Sequence, residues 1–263
     1  MQYAVLFFIF ALGAVIGSFL NVVIFRFNTS RSLSGRSACL YCGKELRWYE
    51  LIPIVSFLLL RGRCASCKSR LSIQYPLVEF ITAVIFVLVF YKIFPSPVFE
   101  LTTNSLIAIG YLLTCFSLLI VISAYDLRHT IIPDVLAYIF IAFALLRPFL
   151  FPFPGENLIY AVSAGPLFAA PFAVLHFASR GRWMGLGDAK LALGLGFFLG
   201  LMRSAFAFIF SFWIGALASL LLLFLGNRGF TMKSEIPFAP FLVLGSVIAF
   251  FTPLSYLLSM IFI

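Results

Sequence analysis

Residues 184–203 read M-G-L-G-D-A-K-L-A-L-G-L-G-F-F-L-G-L-M-R. From Leu191 onward the run carries no charge until Arg203, a pattern that water does not sustain and a bilayer does. At its mouth stands Asp188, one of only three aspartates in 263 residues. The whole chain agrees with this stretch: 63% of it is hydrophobic and 10% charged, too little charge to coat a soluble domain of this size. The fold class predicted is an all-α polytopic membrane protein. Its net charge of +9 reads as loops retained on one side of a membrane, not as a nucleic-acid surface. The expected surroundings are the lipid bilayer, with no nucleic-acid partner.

A helix needs about 20 apolar residues to span. Candidate spans are 3–25, 77–94, 104–124, 133–151, 157–178, 188–203, 204–225 and 238–261, about eight transmembrane helices. The first begins M-Q-Y-A, without a basic leading segment or a following A-x-A-like site, and reads as a retained span. Phe151-Pro152-Phe153-Pro154 stops the fourth, because proline cannot donate to a continuing helix. With the N-terminus outside, only Lys92, Arg147 and Arg203 of the 18 Lys and Arg fall on the outer side. The positive-inside rule selects that topology, with the loop after the first span in the cytosol. The expected organisation is a first helix (1–27), a cysteine-rich loop domain (28–75) and a seven-helix bundle (76–263).

The loop holds Cys39-Leu40-Tyr41-Cys42 and Cys64-Ala65-Ser66-Cys67, separated by residues 43–63. Two C-x-x-C pairs so spaced can supply four thiolates to one tetrahedral Zn2+, and Gly43 suits the turn closing the first pair. A redox dithiol is the chemical alternative, and a reducing cytosol argues against two disulfides. A loop this short buries little apolar surface, so a structural metal would supply much of its stability. The apolar stretch 48–60 reads either as a segment lying on the membrane surface or as the loop's own core. Cys115, mid-span, reads as a packing residue.

Glu45, Glu50, Glu100, Glu156 and Glu235 fall in loops and turns, where a solvated role is expected. Glu79 opens the second span and either reaches the interface or pairs with a cation. Asp134 follows Pro133 at a helix start, where a carboxylate caps free N–H groups. Asp126 instead ends an apolar helix, where burial and the helix dipole both oppose its charge. A carboxylate at membrane depth costs about 2.5–3.5 kcal/mol on insertion scales, which makes it a candidate functional residue. Gly185 and Gly187 clear side chains from around Asp188, while Gly194, Gly196 and Gly200 offer a bare face to another helix. Two aspartates at one depth, held close, share a proton. The ionised member activates water, and the protonated one polarises a peptide carbonyl. The residues alone also leave open a structural pair or an ion path. His129 reads as surface and His176 as bonded inside the bundle. No phosphate loop or dinucleotide fingerprint is present, and no serine or cysteine has a neighbouring base.

Taken together the motifs resemble the type IV prepilin peptidase family, the GxGD-type aspartic peptidases of bacterial inner membranes. The resemblance runs nearly end to end. It covers Gly17-Ser18-Phe19-Leu20-Asn21 through Arg26, the two cysteine pairs with Leu51-Ile52-Pro53 and Arg61-Gly62-Arg63-Cys64, and Tyr75-Pro76-Leu77-Val78-Glu79. Asp126 with Ile132-Pro133-Asp134, Gly185-Leu186-Gly187-Asp188-Ala189-Lys190, and Glu235-Ile236-Pro237-Phe238-Ala239-Pro240-Phe241 complete it. It implies an endopeptidase removing the basic leader of prepilins or pseudopilins at the cytosolic membrane boundary. Asp126 and Asp188 would be catalytic, and Gly185, Gly187 and Lys190 supporting. It also implies methylation of the new N-terminus from S-adenosylmethionine. That activity goes with the cysteine loop, where Gly62 and Arg63 are the candidate methyl-donor residues. Leu40 stands where proline is common and Ala239 where glycine is common; neither is expected to touch the aspartates. Two other readings remain: a peptidase of this class without methyl transfer, and a proton-coupled transporter, which would favour mid-span carboxylates on broken helices.

Overall fold

The computed structural model describes residues 2–29, 32, 34–95, 102–224 and 236–259. Among them every regular element is helical, apart from two isolated β-bridges in the cysteine loop. The chain divides into two compact units, Met1–Val121 and Ile122–Ile263.

In the first unit, α1 (Gln2–Arg26) lies along α3 (Gln74–Ile93). Small residues let the two backbones meet. A Cβ on Gly13 would fall 2.6 Å from the Cα of Ala83, and one on Gly17 2.7 Å from the Cα of Glu79. One turn further along α1, Asn21 Nδ2 donates to the Tyr75 carbonyl at 3.0 Å, and Phe25 stacks on the Tyr75 ring. The partners step forward by four on α1 and back by about four on α3, so the pair is antiparallel with a G-x-x-x-G seam. α4 (Thr103–His129) begins in this unit and brings its last turns, with Asp126, into the second. Cys115, on α4, is fully buried among apolar neighbours, as expected of a packing residue.

The cysteine loop is two copies of one turn. Cys39 N donates to the Lys44 carbonyl, Gly43 N to Cys39 and Leu46 N to Ser37. Cys64 N likewise donates to Ser69, Lys68 N to Cys64 and Leu71 N to Gly62. The fourth residue after each leading cysteine has positive φ: Gly43 at 71° and Lys68 at 59°. Between the copies run a short 3-10 helix (Trp48–Leu51) and α2 (Val55–Leu59). Trp48, Leu58 and Leu59 are exposed, so this segment is not the loop's own core and fits the membrane-surface reading. Glu50, expected to be solvated, is buried: it accepts from Arg47 N at 2.7 Å and pairs with Lys44 at 3.3 Å. Those bonds, the backbone one first, hold its carboxyl below the usual range.

The second unit packs α5 (Asp134–Leu150), α6 (Leu158–Ser179) and α8 (Ala239–Phe251) around α7 (Leu186–Phe224), with α9 (Leu254–Ser259) following. The bare face of α7 is used on two sides. A Cβ on Gly194 would fall 2.6 Å from the Phe140 ring of α5, and one on Gly196 2.6 Å from Gly165 Cα of α6. Among the described residues five helices (α1, α3, α4, α6 and α7) are long and apolar enough to cross a membrane. α5, with 17 residues, and α8, with 13, are shorter. The expected sixth and seventh spans both lie in the 39-residue α7, and the break falls at Gly200, not after Arg203. Gly200 has φ 73° and ψ 175°, and the Glu156 carboxylate occupies the place of a Cβ; only glycine fits. The last expected span stops at Phe251, ahead of Pro253, leaving α9 separate.

That break houses three charges, one of which, Glu156, was expected to be solvated. Arg147 is 2% exposed and binds Glu156 through both Nη atoms, with Nε donating to the Phe197 carbonyl at 3.1 Å. Arg203 Nη1 donates to the carbonyls of Ala249, Phe250 and Thr252 at 2.9, 3.1 and 3.0 Å, closing the C-terminal end of α8. Both guanidiniums lie over the Phe153 ring. The expectation for Glu156 is therefore corrected: it neutralises a buried arginine. Glu100 and Glu235 lie outside the described residues.

Candidate active site and metal centre

Three helix ends meet in the second unit. Asp126 sits in the last turn of α4, Asp188 in the first turn of α7, and the start of α8 supplies Ala239. Asp126 is 4% exposed, and its Oδ2 accepts the Ala239 N–H at 3.2 Å. That donor is one of the N–H groups that a helix start leaves without an internal partner. Ala239, expected not to touch the aspartates, is thus bonded to one of them through its backbone. Its side chain is fully buried. Asp188 is half-buried and close enough for the charge of Asp126 to act on it. Two carboxylates from helices more than 50 residues apart in sequence are therefore brought within electrostatic reach of one another.

The approach to Asp188 is shaped by its neighbours. A Cβ on exposed Gly185 would lie 3.7 Å from Asp188 Oδ2, so the glycine leaves that side of the carboxylate open. Gly187 has another purpose: its Cβ would fall 2.9 Å from the Cβ of Ile132. Buried Ile132 belongs to the short link between α4 and α5, so Gly187 fixes the distance between the two aspartate-bearing segments. Lys190 Nζ bonds Asp134 Oδ1 at 2.7 Å and lies over the Tyr138 ring. Asp134, expected to cap α5, instead joins α5 to α7 by this ion pair, and no side chain caps that helix start. His176 Nδ1 donates to the Met184 carbonyl at 3.0 Å, tying the end of α6 to the turn that delivers Gly185.

A leucine at Gly187 must displace Ile132. The expected result of Gly187→Leu is a loss of peptide cleavage of at least about 100-fold, partly regained when Ile132→Ala makes room. Leader cleavage measured on the single and double variants checks it. A single variant with normal activity would make this glycine incidental.

In the first unit the Sγ atoms of Cys39, Cys42, Cys64 and Cys67 all lie within 4.8 Å of one another, with Cys39 and Cys67 at 3.8 Å. Each repeated turn presents its cysteines to the same point, and the four sulfurs can hold one metal ion. Backbone amides, that of Cys42 first, pull the Cys39 thiol down to about 6, favouring the thiolate a metal binds. A cleft of about 500 Å³ opens beside the second turn, lined by Leu59, Leu60, Arg61, Arg63 and Lys68. Gly62, with φ 66°, faces Phe57, and its carbonyl closes that turn through Leu71 N.

Comparison with known proteins follows this division. The model of the bacterial peptidase A24 N-terminal domain matches residues 11–93, and that of the type IV leader peptidase family matches 113–220. A prepilin leader peptidase/N-methyltransferase of Bacillus subtilis (strain 168) is 31% identical, with 92% of each chain covered. The chain belongs to the type IV leader peptidase family. Members with the same description from Aeromonas hydrophila and Neisseria gonorrhoeae are 31% and 30% identical. The first alignment covers 92% of this chain and 88% of the relative, the second 83% and 82%. No solved structure matches significantly. The first family match carries the four cysteines; the second carries both Asp126 and Asp188.

Proposed function

We propose that this family member removes the basic leader of type IV prepilins or pseudopilins and then methylates the exposed amine from S-adenosylmethionine. The observation that carries the peptidase half is the meeting of Asp126 and Asp188 at one end of the second unit. One proton serves the two carboxylates. The ionised one draws a proton from water as its oxygen attacks the scissile carbonyl; the protonated one polarises that carbonyl and then protonates the departing amine. The Ala239 N–H holds Asp126 in place throughout. Gly185, Gly187 and Lys190 keep Asp188 accessible and in register. A transporter reading is disfavoured by position, because both aspartates stand at helix ends, not at mid-span breaks.

The bilayer is the inner membrane, with the cysteine loop and the aspartates facing the cytosol, on the strength of the positive-inside count. Cys39, Cys42, Cys64 and Cys67 hold a structural Zn2+. Zinc–sulfur bonds of about 2.3 Å put tetrahedral sulfurs about 3.8 Å apart, the spacing of Cys39 and Cys67, in a cluster whose four sulfurs lie within 4.8 Å of one another. The methyl donor's carboxylate binds in the basic cleft on Arg63, with Gly62 shaping its wall. When bound, the donor supplies an electrophilic methyl group.

The test is to give purified protein an intact prepilin and a labelled methyl donor, then weigh the product. Leader loss plus one methyl per chain is expected. Arg63→Ala should lower methylation of a precleaved pilin at least about tenfold and change leader removal less than threefold. Gly62→Val adds strain at a positive φ, so the arginine variant is the cleaner probe. Equal loss of both activities would reduce Arg63 to a support of the fold.

A further inference from the structure

Beneath the cysteine loop lies a carboxylate that peptide cleavage does not use. Glu79 is buried on α3, where Gly17 lets α1 come close. Its Oε2 accepts the N–H of Ile54 at 2.7 Å, and the Ser18 hydroxyl also engages it. Ile54 has φ 62° and ψ −51°, a backbone that a β-branched residue adopts only under constraint, of the kind concentrated at working sites. Among the described residues no cation forms an ion pair with Glu79.

Asn21 sits one turn away and is 1% exposed. Its Nδ2 is committed to the carbonyls of Gly17 and Tyr75, which leaves Oδ1 buried with no donor. The Tyr75 carbonyl is also one helical turn below Glu79. What this corner lacks is therefore donors carrying positive charge, two acceptors being already in place. A buried acceptor without a donor costs about 1–3 kcal/mol. The two ends of α2 join this corner to the basic cleft. Its N-terminal end is the Ile54 that Glu79 holds, and its C-terminal end leads into Leu59 and Leu60 of the cleft wall. Five residues of helix separate them by about 8 Å.

We propose that Glu79 and Asn21 Oδ1 receive the α-ammonium of the cleaved substrate and that Glu79 takes its proton before methyl transfer. This rests on the methyl-transfer reading above. An N-terminal amine with a pKa of about 7.7–8.0 is mostly protonated at neutral pH and has no lone pair to offer. Glu79 accepts one proton. The freed nitrogen lone pair forms the N–C bond as the donor's S–C bond breaks, and sulfur keeps that electron pair. Net positive charge passes from the sulfonium to the methylated ammonium, and the now neutral Glu79 carboxyl gives up its proton to water as the product leaves.

The experiment uses full-length protein in detergent as wild type, Glu79→Gln and Glu79→Asp. Binding of a precleaved pilin N-terminal peptide is measured without methyl donor, against the same peptide N-acetylated. Wild type should prefer the free amine at least tenfold, and Glu79→Gln should bind both alike. Methyl incorporation at pH 7 should fall at least 100-fold in Glu79→Gln, recover as pH rises past 8 and the amine deprotonates itself, and be intermediate in Glu79→Asp. A Glu79→Gln protein that keeps the free-amine preference overturns the proposal. So does a loss of methylation that no pH restores or that comes with loss of bound metal, since Glu79 would then only hold Ile54. A wild type that incorporates no methyl instead removes the underlying reading.

Discussion

Asp126→Asn and Asp188→Asn should each abolish leader removal, lowering the rate at least about 1000-fold while expression and helical content stay unchanged. An amide matches a carboxylate in shape but can neither take a proton from water nor pass one to the leaving amine, functions worth about 10²–10⁴ apiece. Two features make the loss chemical and not structural. Asparagine at 126 still has an oxygen to accept the Ala239 N–H, so α8 keeps its anchor. Asparagine at 188 stays half-buried beside Gly185 with no new volume. The third aspartate serves as the contrast. Asp134 is 64% exposed at its side chain and pairs with Lys190 on the surface, where an ion pair contributes about 0–1 kcal/mol. Asp134→Asn should cost no more than severalfold. Processing of a prepilin at fixed enzyme concentration separates the three. Near-normal cleavage by either of the first two would dissolve the pair.

The helices were legible because apolar runs act locally and Phe151-Pro152-Phe153-Pro154 ends α5 as expected. Proline alone was no guide, since Pro166 and Pro171 lie inside α6 while Pro253, which the expected last span ran through, follows the end of α8. The break in α7 was misplaced by a few residues because its cause is not local. Gly200 looks like any other small residue of a packing face until Glu156, 44 positions away, is found in its side-chain space. Glu156 was misjudged for the same reason. A lone glutamate in a turn reads as solvated unless the sequence tells which arginine it folds back onto. At the site, Asp126 and Asp188 stood out because a charge in an apolar run is costly wherever it points. Ala239 did not, since its contribution is a backbone N–H that any residue but proline carries. Ile132 was equally silent: only the contact with Gly187 shows that one branched side chain sets the spacing of two helices. Glu79 gave a partial signal as a carboxylate opening a span, but its partner proved to be a backbone amide of the loop, not a cation.

The cysteine loop should be the one part of the chain that a single ion decides. Replacing Cys39 and Cys42 together by serine removes two of four thiolates and leaves half a tetrahedral shell. Elemental analysis of protein purified without chelators should give one zinc per wild-type chain and none in the double variant. The loop has little else to hold it. Leu40, Tyr41, Trp48, Leu58 and Leu59 are all exposed, the repeated turns close on only a few backbone bonds each, and metal binding in such small folds amounts to about 10–16 kcal/mol. The double variant should therefore expose Arg61, Arg63 and Lys68 to rapid tryptic cutting and lose methyl transfer altogether, because the basic cleft and the Ile54 turn are built from the same residues. Leader removal should fall only a few-fold, since Asp126, Asp188 and the α8 start belong to the other compact unit. Zinc retained at one per chain in the double variant, or an apo loop that resists trypsin as well as the native one, would mean that backbone bonds and not the metal hold the two turns together.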